Sequence, residues 1–360
     1  MSAFSLAADV LRRGVSDRVF PGASAEVGTA ASAVWQAQVG SLTYELDSPR
    51  VSIDTVFDLA SLTKVVVTTT VAMRLVEAGK LALDAQVREY EPRWLADDRA
   101  SVTARVLLEH ASGLPAWAPL FRSREDRPSM LSAVLAAPLE YAPRSQSVYS
   151  DLGFILLGHL LETIDRRPLD VQFDEMAARW MTAEAAALPL VFNPPASWRP
   201  RIAPTRFNQW RDRLLAGEVD DDNAWVMGGV AGHSGLFGTA AAVGVFARGI
   251  LRVLSGDREA ERRFATRETV RLFLSRSTVP GSSRALGWDM MRTTSSCGSK
   301  MSAAAFGHTG FTGTSIWIDP ERDVYAVLLT NRVHPEAGST EPMQAVRRAF
   351  HDALLEGCSV

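Results

Sequence analysis

The chain has 360 residues, 47% of them hydrophobic, and a formal net charge of −3, which permits a sizeable core and argues against a nucleic-acid-binding protein. It contains no uncharged apolar segment of 18 residues, so we expect no membrane-spanning helix. The N-terminal segment lacks the basic start and the apolar core of a signal peptide, which predicts a cytoplasmic protein.

The first elements in chain order are a helix and a pair of strands. The apolar residues of the N-terminal segment recur on one face of an amphipathic helix. The segment Gly22–Gly40 predicts two short strands around a turn at Gly28–Thr29. A helix is then predicted from about Ser61 to Ala78, because Gly79 has the position of a residue that ends a helix in the left-handed conformation.

The middle of the chain is predicted to be helices and loops, and its end returns to strands. Thr314–Ile318 and Val324–Thr330 are β-rich runs separated by turn residues, which predicts a hairpin, and an amphipathic helix follows. We therefore predict an α+β fold in which residues 1–60 and 286–360 build one antiparallel sheet flanked by the terminal helices. Residues 61–285 would form an inserted, mostly helical domain, with the ligand site in the cleft between the two parts.

The pattern of cysteines and histidines does not support metal or redox chemistry. Cys297 and Cys358 have neither C-x-x-C nor zinc-ligand spacing, and the six histidines are scattered. We therefore predict no metal site and no cofactor, while the roles of the two cysteines and the oligomeric state stay open. The carboxylate run Asp220–Asp222 lacks calcium-loop spacing and is interpreted as a solvated loop.

The first candidate for chemistry is Ser61 together with Lys64, one helical turn later. Residues i and i+3 share a helix face, so the two side chains can meet. A serine hydroxyl becomes a good nucleophile when a base takes its proton, and a lysine with a lowered pKa can be that base, whereas arginine stays protonated. The chain has three lysines against 35 arginines, which favours a chemical reason for this one. The alternative is that Ser61 caps a core helix and Lys64 is a surface charge.

Two further stretches supply candidate partners. Tyr149, in Y-S-D, precedes an apolar helix, and a lysine ammonium beside it would lower its phenol pKa and make it a proton carrier. It could equally be a packed tyrosine before an ordinary helix start. In G-H-T-G, glycines flank His308 and Thr309 before a strand, where a backbone N–H could belong to an oxyanion hole. The alternative there is a glycine-rich turn into the hairpin.

In this order, S-x-x-K, Y-S-D and H-T-G resemble the three signature elements of the serine β-lactamase and penicillin-binding-protein superfamily. The tyrosine in the second element is similar to that of class C β-lactamases, DD-peptidases and β-lactamase-like esterases. The stretches "LLEHASGLP", "YSDLGFILLG", "GGVAGHSGLFGTA" and "GHTGFTGTSIWIDP" match the same branch over most of the chain. The family fold, a helix-flanked antiparallel sheet with an inserted helical domain, agrees with the predicted one.

The resemblance implies a role for each matching residue. Ser61 would be the nucleophile, and Lys64 and Tyr149 would share its activation and the later delivery of its proton. The backbone N–H groups of Ser61 and Phe311 would form the oxyanion hole. The substrate would be contacted by Asp151, His308, Thr309 and Gly310.

Two departures from the family bear on the substrate. Asp151 stands where β-lactamases and DD-peptidases commonly have asparagine, and an ionised carboxylate donates no hydrogen bond and repels a substrate carboxylate. His308 stands where β-lactamases usually have lysine, which weakens the positive charge expected to hold a β-lactam. We therefore expect a serine hydrolase that forms an acyl-enzyme with small esters or amides. The alternatives are a DD-peptidase or D-aminopeptidase, a weak β-lactamase, and a non-catalytic sensor or scaffold.

Overall fold

The computed structural model of the protein describes residues 3–181 and 188–356. Cys358 lies outside the described residues, whereas Cys297 is a buried free thiol. Burial raises the pKa of the Cys297 thiol to about 12, so this cysteine stays protonated and unreactive at neutral pH. None of the helices in the described ranges combines the length and the apolar character that crossing a bilayer requires.

The helices and strands follow the predicted order. The α-helices are α1 (Ala3–Ser16), α2 (Thr70–Glu77), α3 (Val87–Tyr90), α4 (Ala104–Leu108), α5 (Arg127–Ala136), α6 (Asp151–Asp165), α7 (Leu169–Trp180), α8 (Asp222–Val226), α9 (Ala240–Ser255), α10 (Arg258–Arg263), α11 (Arg267–Phe273) and α12 (Glu341–Leu355). A π-helix, Lys64–Thr69, runs directly into α2, and short 3₁₀-helices occupy Asp97–Arg99, Leu120–Arg122 and Ala196–Arg201. The strands are β1 (Gly22–Gly28), β2 (Ala33–Gly40), β3 (Phe57–Asp58), β4 (Leu190–Phe192), β5 (Phe207–Asn208), β6 (Arg213–Leu214), β7 (Leu236–Gly238), β8 (Asp289–Met290), β9 (Phe306–Thr309), β10 (Ser315–Asp319) and β11 (Val324–Thr330).

The main sheet is built from both ends of the chain. Its strand order is β2-β1-β11-β10-β9-β8, and neighbouring strands run antiparallel. The pairing of β1 with β11, in which Ala25 lies opposite Leu328, joins the N-terminal hairpin to the C-terminal hairpin. The predicted α+β fold and both predicted hairpins are therefore confirmed.

Strand β11 is the centre of the core because it is covered on both faces. Successive side chains of a strand point to opposite sides of the sheet. Ala326 and Leu328 pack in the cluster formed with the terminal helices α1 and α12, whereas Val327 and Leu329 belong to the larger core that includes α9. Burial on both faces explains why Val324–Thr330 is a nearly continuous apolar run rather than an alternating one.

The predicted insertion carries most of the remaining helices and two strands of a small sheet of order β3-β7-β4, whose strand β3 comes from residues before the insertion. Helix α9 also comes from the predicted insertion, yet it packs against β1 and β11 of the main sheet. The domain boundaries at residues 1–60, 61–285 and 286–360 remain a prediction.

Candidate active site

Ser61 follows a tight turn at the end of β3. Ala60 has a φ of +48°, a left-handed conformation that is uncommon for a residue with a Cβ. The Asp58 carboxylate accepts the Ala60 N–H at 2.8 Å, and the Thr63 hydroxyl donates to the Ala60 carbonyl at 2.6 Å. These two hydrogen bonds hold the turn, and Ser61 lines a cleft of about 1310 Å³.

The helix predicted to follow Ser61 is present, but its first turns are π-helical rather than α-helical. The π-helix Lys64–Thr69 is fully buried and holds the β-branched run that by itself prefers a strand. The Thr68 hydroxyl donates to the Gly232 carbonyl at 2.6 Å and so ties the helix to a loop of the cleft wall. The predicted end of the helix is confirmed, since Gly79 follows it with a φ of +67°.

The Lys64 amine is fully buried and has three acceptors. Its Nζ donates to Ser61 Oγ at 3.0 Å, to Asp151 Oδ1 at 2.7 Å and to the His233 carbonyl at 2.9 Å. Burial lowers the pKa of Lys64, but the Asp151 carboxylate and the Tyr149 phenol outweigh burial, so the pKa is raised above its ordinary value. The expected lowering of this pKa is therefore wrong, because the ammonium has a counter-charge 87 residues away in the chain.

Tyr149 is positioned by the loop that enters α6. The Ser150 N–H donates to His110 Nδ1 at 3.0 Å, and the His110 ring lies against the Tyr149 ring with centroids 4.7 Å apart. The Tyr149 hydroxyl donates to Ser61 Oγ at 2.8 Å. Burial raises the phenol pKa more than the Lys64 ammonium lowers it, so the expected lowering is wrong and Tyr149 is a neutral donor.

The turn between β9 and β10 packs against the segment that precedes Ser61. The Thr312 hydroxyl donates to the Asp58 carbonyl at 2.8 Å, and the Thr314 hydroxyl donates to the Leu59 carbonyl at 3.0 Å. Gly310 permits this approach, because a Cβ there would meet Thr314 Oγ1 at 2.1 Å and the Leu59 carbonyl oxygen at 2.8 Å. The turn is thereby bound to the segment that presents Ser61.

Two backbone donors are left free beside this junction. In the part of the chain that the structure describes, neither the N–H of Ser61 nor the N–H of Phe311 has a protein acceptor. Both residues line the cleft. Free N–H groups are suited to a developing oxyanion, and their predicted role as the oxyanion hole stays a prediction.

His308 and Thr309 end strand β9 and line the cleft. His308 Nδ1 lies 2.9 Å from the Thr309 carbonyl oxygen, whereas its buried Nε2 has no protein partner among the described residues. Burial, with the Arg284 and Lys64 cations, holds the pKa of His308 well below its usual range. The imidazole is therefore neutral and cannot supply the charge that a lysine would provide at this position.

The interpretation of Asp220–Asp222 as a solvated loop is wrong. Asp220 is buried and forms a salt bridge with Arg206 at 3.1 Å, and the Asp221 carboxylate lies 2.9 Å from His233 Nε2. All three carboxylates line the cleft. The nearby arginines, Arg206 and Arg211, are the sequence signal that could have indicated paired rather than solvated carboxylates.

Sequence reasoning also missed a cation and an aromatic wall. The Arg284 guanidinium lines the cleft 5.3 Å from the Tyr149 ring centroid and forms a salt bridge with Asp289 at 3.1 Å. Four half-exposed rings line the same cleft, with 46–52% of their surface accessible: Trp117, Phe207, Trp210 and Phe311. Large exposed aromatic side chains gathered at one site are typical of a ligand-binding surface.

The comparisons with known proteins show the family and the fold of the chain. The Beta-lactamase family model matches residues 7–349. A putative D-alanyl-D-alanine carboxypeptidase of Escherichia coli K12 is 31% identical over 311 residues, which cover 78% of this chain and 70% of that protein. Unliganded simvastatin synthase from Aspergillus terreus has a TM-score of 0.75 at 20% identity, with 100% of both chains covered. EstCE1, a hydrolase with promiscuous acyltransferase activity, has a TM-score of 0.72 at 21% identity, covering 97% of this chain and 98% of its own.

Proposed function

The chain belongs to the beta-lactamase family of serine hydrolases, and we propose that it cleaves small esters or amides through an acyl-enzyme on Ser61. The observation that carries the proposal is that Ser61 Oγ is contacted by Lys64 Nζ at 3.0 Å and by the Tyr149 hydroxyl at 2.8 Å in one cleft. Both groups can carry protons, and no other pair of side chains in the described ranges contacts Ser61 Oγ.

The arrangement supports each step of acyl transfer. Ser61 Oγ attacks the acyl carbon while its proton passes to the Lys64–Tyr149 pair, and the free N–H groups of Ser61 and Phe311 receive the negative charge that develops on the carbonyl oxygen. The leaving oxygen or nitrogen takes a proton from the Lys64–Tyr149 pair. Water then attacks the acyl-enzyme and is deprotonated by the same pair, which returns Ser61 to its starting state.

The charges around the nucleophile favour a neutral ester over a β-lactam. Asp151 is engaged with Lys64 and presents a carboxylate rather than an amide to the cleft. His308 is neutral and offers no fixed positive charge. The aromatic wall formed by Trp117, Phe207, Trp210 and Phe311 suits an apolar acyl group or alcohol, so ester hydrolysis is the leading proposal.

A second candidate is a carboxypeptidase that acts on peptides ending in D-amino acids. The E. coli relative bears the name of a putative D-alanyl-D-alanine carboxypeptidase. Arg284, beside Tyr149 on the cleft wall, could face the terminal carboxylate of such a peptide and compensate for the neutral His308. A non-catalytic sensor that kept the fold is the remaining alternative.

Covalent labelling tests the proposal before any substrate is known. A fluorophosphonate probe should add one adduct mass to Ser61 of the folded protein, and Ser61→Ala should take up none. Ser41→Ala, at an isolated bridge outside the cleft, is a control that should label like the unaltered protein. Absence of labelling on folded protein would favour the sensor.

A substrate panel then separates the enzymatic candidates. We expect turnover of short-chain p-nitrophenyl esters, slower release of D-alanine from D-Ala-D-Ala peptides, and weak or absent hydrolysis of nitrocefin. Peptide turnover faster than ester turnover would transfer the proposal to the carboxypeptidase. In that case Arg284→Ala should raise the KM for the peptide more than the KM for a neutral ester.

A further inference from the structure

Asp151 is held in a fixed position against the Lys64 amine. It is the first residue of α6, and its N–H donates to the Ala116 carbonyl at 2.8 Å. Its Oδ1 lies 2.7 Å from Lys64 Nζ, the shortest of the three contacts that Nζ makes. The Asp151 side chain is 17% exposed and the Lys64 side chain is fully buried, so solvent screens this ion pair weakly.

The three contacts of Lys64 Nζ match the needs of an ammonium group. An ammonium has three hydrogens and no lone pair, and Ser61 Oγ, Asp151 Oδ1 and the His233 carbonyl are three acceptors. In this state Lys64 cannot accept the Ser61 proton. A proton must first leave Nζ, and the carboxylate at 2.7 Å is the one basic group in contact with Nζ among the described residues.

We propose that Asp151 is a positioning residue that takes a proton from Lys64 during acylation, so that Lys64 can take the proton of Ser61. The inference rests on the proposed function, and it gives Asp151 a task different from substrate binding. It also gives a physical reason for aspartate at a position where the resembling enzymes commonly have asparagine, because an amide cannot hold the proton.

The step balances in atoms and charge. An Nζ–H bond of Lys64 breaks as an Oδ1–H bond of Asp151 forms, and the ion pair becomes a neutral amine beside a carboxylic acid. The Ser61 proton moves to the vacated lone pair while the Oγ–carbon bond forms and the carbonyl electron pair moves to oxygen. When the tetrahedral intermediate collapses, the leaving group takes a proton from Lys64, either directly or through the Tyr149 hydroxyl, which Lys64 then reprotonates. Lys64 finally recovers its proton from Asp151.

The other ionisable groups around the pair do not replace Asp151. His110 and His308 feel the Lys64 charge, but burial lowers the pKa of each imidazole well below its usual range, so both stay neutral. Asp221 also feels the Lys64 charge, yet its carboxylate contacts His233 Nε2. The remaining neighbours are the Tyr149 phenol, which contacts Ser61, and the cation of Arg284, which lies over the Tyr149 ring.

The variant Asp151→Asn separates this relay from a mechanism in which neutral Lys64 is the only base. In the relay the Lys64–Asp151 ion pair is the competent resting state, so activity on the acidic limb of the kcat profile does not require a neutral Lys64. Without the carboxylate, Lys64 must be neutral at the start, and the limb should move up by at least about one pH unit. At about pH 6 we expect kcat to fall by roughly 10- to 100-fold, with a change in KM below about threefold.

If Lys64 acts alone, the prediction has the opposite sign. Asp151 then only raises the pKa of the base, so removing it should move the acidic limb down and increase kcat at neutral pH. The relay would be overturned if the acidic limb of Asp151→Asn moved down or did not move. It would also be overturned if the folded variant were inactive at every pH, because a neutral Lys64 should still act as a base at high pH.

Two controls keep the result interpretable. Asp151→Glu restores a carboxylate and should keep the acidic limb near that of the unaltered enzyme. If circular dichroism shows that the substitutions weaken folding, the pH profile of Asp151→Asn is compared with that of Asp151→Glu instead of with that of the unaltered protein. Fluorophosphonate labelling of the unaltered protein at Ser61 is measured first: no labelling would refute the proposed function, whereas labelling with a wrongly directed pH shift would refute only the relay.

Discussion

Two carboxylates flank the nucleophile, and their partners are of opposite kinds. Asp151 faces the buried Lys64 ammonium at 2.7 Å. Asp58 is buried three residues before Ser61, and within residues 3–181 and 188–356 its carboxylate accepts only backbone N–H groups, from Ala60 at 2.8 Å and from Asp220 at 2.7 Å. Burial and the Asp220 charge raise the pKa of Asp58 to about 7. The comparison shows that two carboxyl groups beside one nucleophile can differ in burial and in whether a cation faces them.

The difference in partners corresponds to a difference in task. Asp58 holds the left-handed turn at Ala60 and does so through hydrogen bonds that a neutral acid can partly keep. Asp151 must accept a proton to serve in the proposed relay, and its carboxylate faces the Lys64 amine rather than backbone N–H groups. Four predictions follow from substitutions of the two carboxylates' neighbours, of Asp58 itself and of the phenol that contacts Ser61.

The largest effect is expected from replacing the partner of Asp151. Lys64→Arg keeps the positive charge but removes the only amine at Ser61, so kcat/KM for an ester should fall by at least about 10³-fold. The matched control is Lys80→Arg on an exposed lysine paired with Asp165, which should leave the rate unchanged. Lys64→Gln tests the same point if the larger guanidinium does not fit. Activity within tenfold of the unaltered enzyme would contradict a role for lysine as a base.

The second largest effect concerns the free energy of unfolding, which falls with rising pH because of the raised pKa of Asp58. Because the folded-state pKa is raised above the unfolded value of about 4, the folded protein binds this proton more tightly. Its stabilising contribution is therefore complete below about pH 4 and is lost progressively as the pH rises through about 7. The side chain introduced by Asp58→Asn does not titrate, so between pH 5 and pH 8 the variant's stability should improve relative to the unaltered protein by on the order of 3 kcal/mol.

Urea unfolding at the two pH values measures this difference. The amide oxygen introduced by Asp58→Asn can replace only one of the two carboxylate acceptors, so the variant loses stability by a constant amount that cancels between the pH values. Asp54→Asn, at an exposed carboxylate in the preceding turn, should show no such pH dependence. If the difference in unfolding free energy between Asp58→Asn and the unaltered protein were the same at both pH values, the Asp58 carboxyl group of the unaltered protein would be ionised throughout this range.

The third prediction tests the phenol side of the nucleophile without touching either carboxylate. Tyr149→Phe removes the donor to Ser61 Oγ and leaves the Lys64–Asp151 pair in place, so kcat should fall by about 100-fold with little change in KM. Tyr44→Phe removes a hydroxyl that donates to the Arg18 carbonyl and does not line the cleft, so it should not alter the rate. A Tyr149 variant with full kcat would leave proton delivery to Lys64 alone.

The smallest effect is expected from the neighbour of Asp58. Asp220→Asn removes the second largest cause of the raised Asp58 pKa, so the pH range in which stability is lost should move down. The midpoint of this pH range should move by less than about one pH unit, because burial of Asp58 is unchanged. The substitution also removes the Arg206 salt bridge, so the midpoint rather than the total unfolding free energy is compared. An effect as large as that of Asp58→Asn would mean that the Asp220 charge, rather than burial, dominates.

Much of the fold was predictable because its elements follow local periodicity. The hairpins β1–β2 and β10–β11 and the end of the helix at Gly79 coincide with turn residues, whose backbone preferences act over a few positions. The π-helix was not predictable, since Val65–Val67 favours a strand by itself and is held helical by burial and by the Thr68 contact with Gly232. Tertiary packing overrides propensity there.

Some features of the candidate site were likewise predictable from the sequence, and others were not. S-x-x-K and Y-S-D were sufficient to select the Lys64 and Tyr149 side chains that contact Ser61, and H-T-G selected residues that line the same cleft. The chemistry and the order of these motifs are visible in the sequence itself. The direction of the Lys64 and Tyr149 pKa shifts was predicted wrongly, because it depends on burial and on Asp151. The ion pairing of Asp220–Asp222 was missed for the same reason.

The order of the residues was enough to identify the family, to predict the α+β fold and to select the reactive groups, because helix and strand periods and the three motifs are properties of neighbouring residues. Which carboxylate faces a cation and which faces backbone N–H groups depends on contacts between distant parts of the chain. Those contacts join residues 87 positions apart for Lys64 and Asp151 and 162 apart for Asp58 and Asp220. Electrostatic energies depend on distance in space and on exclusion of water, and neither quantity is written in the order of the residues.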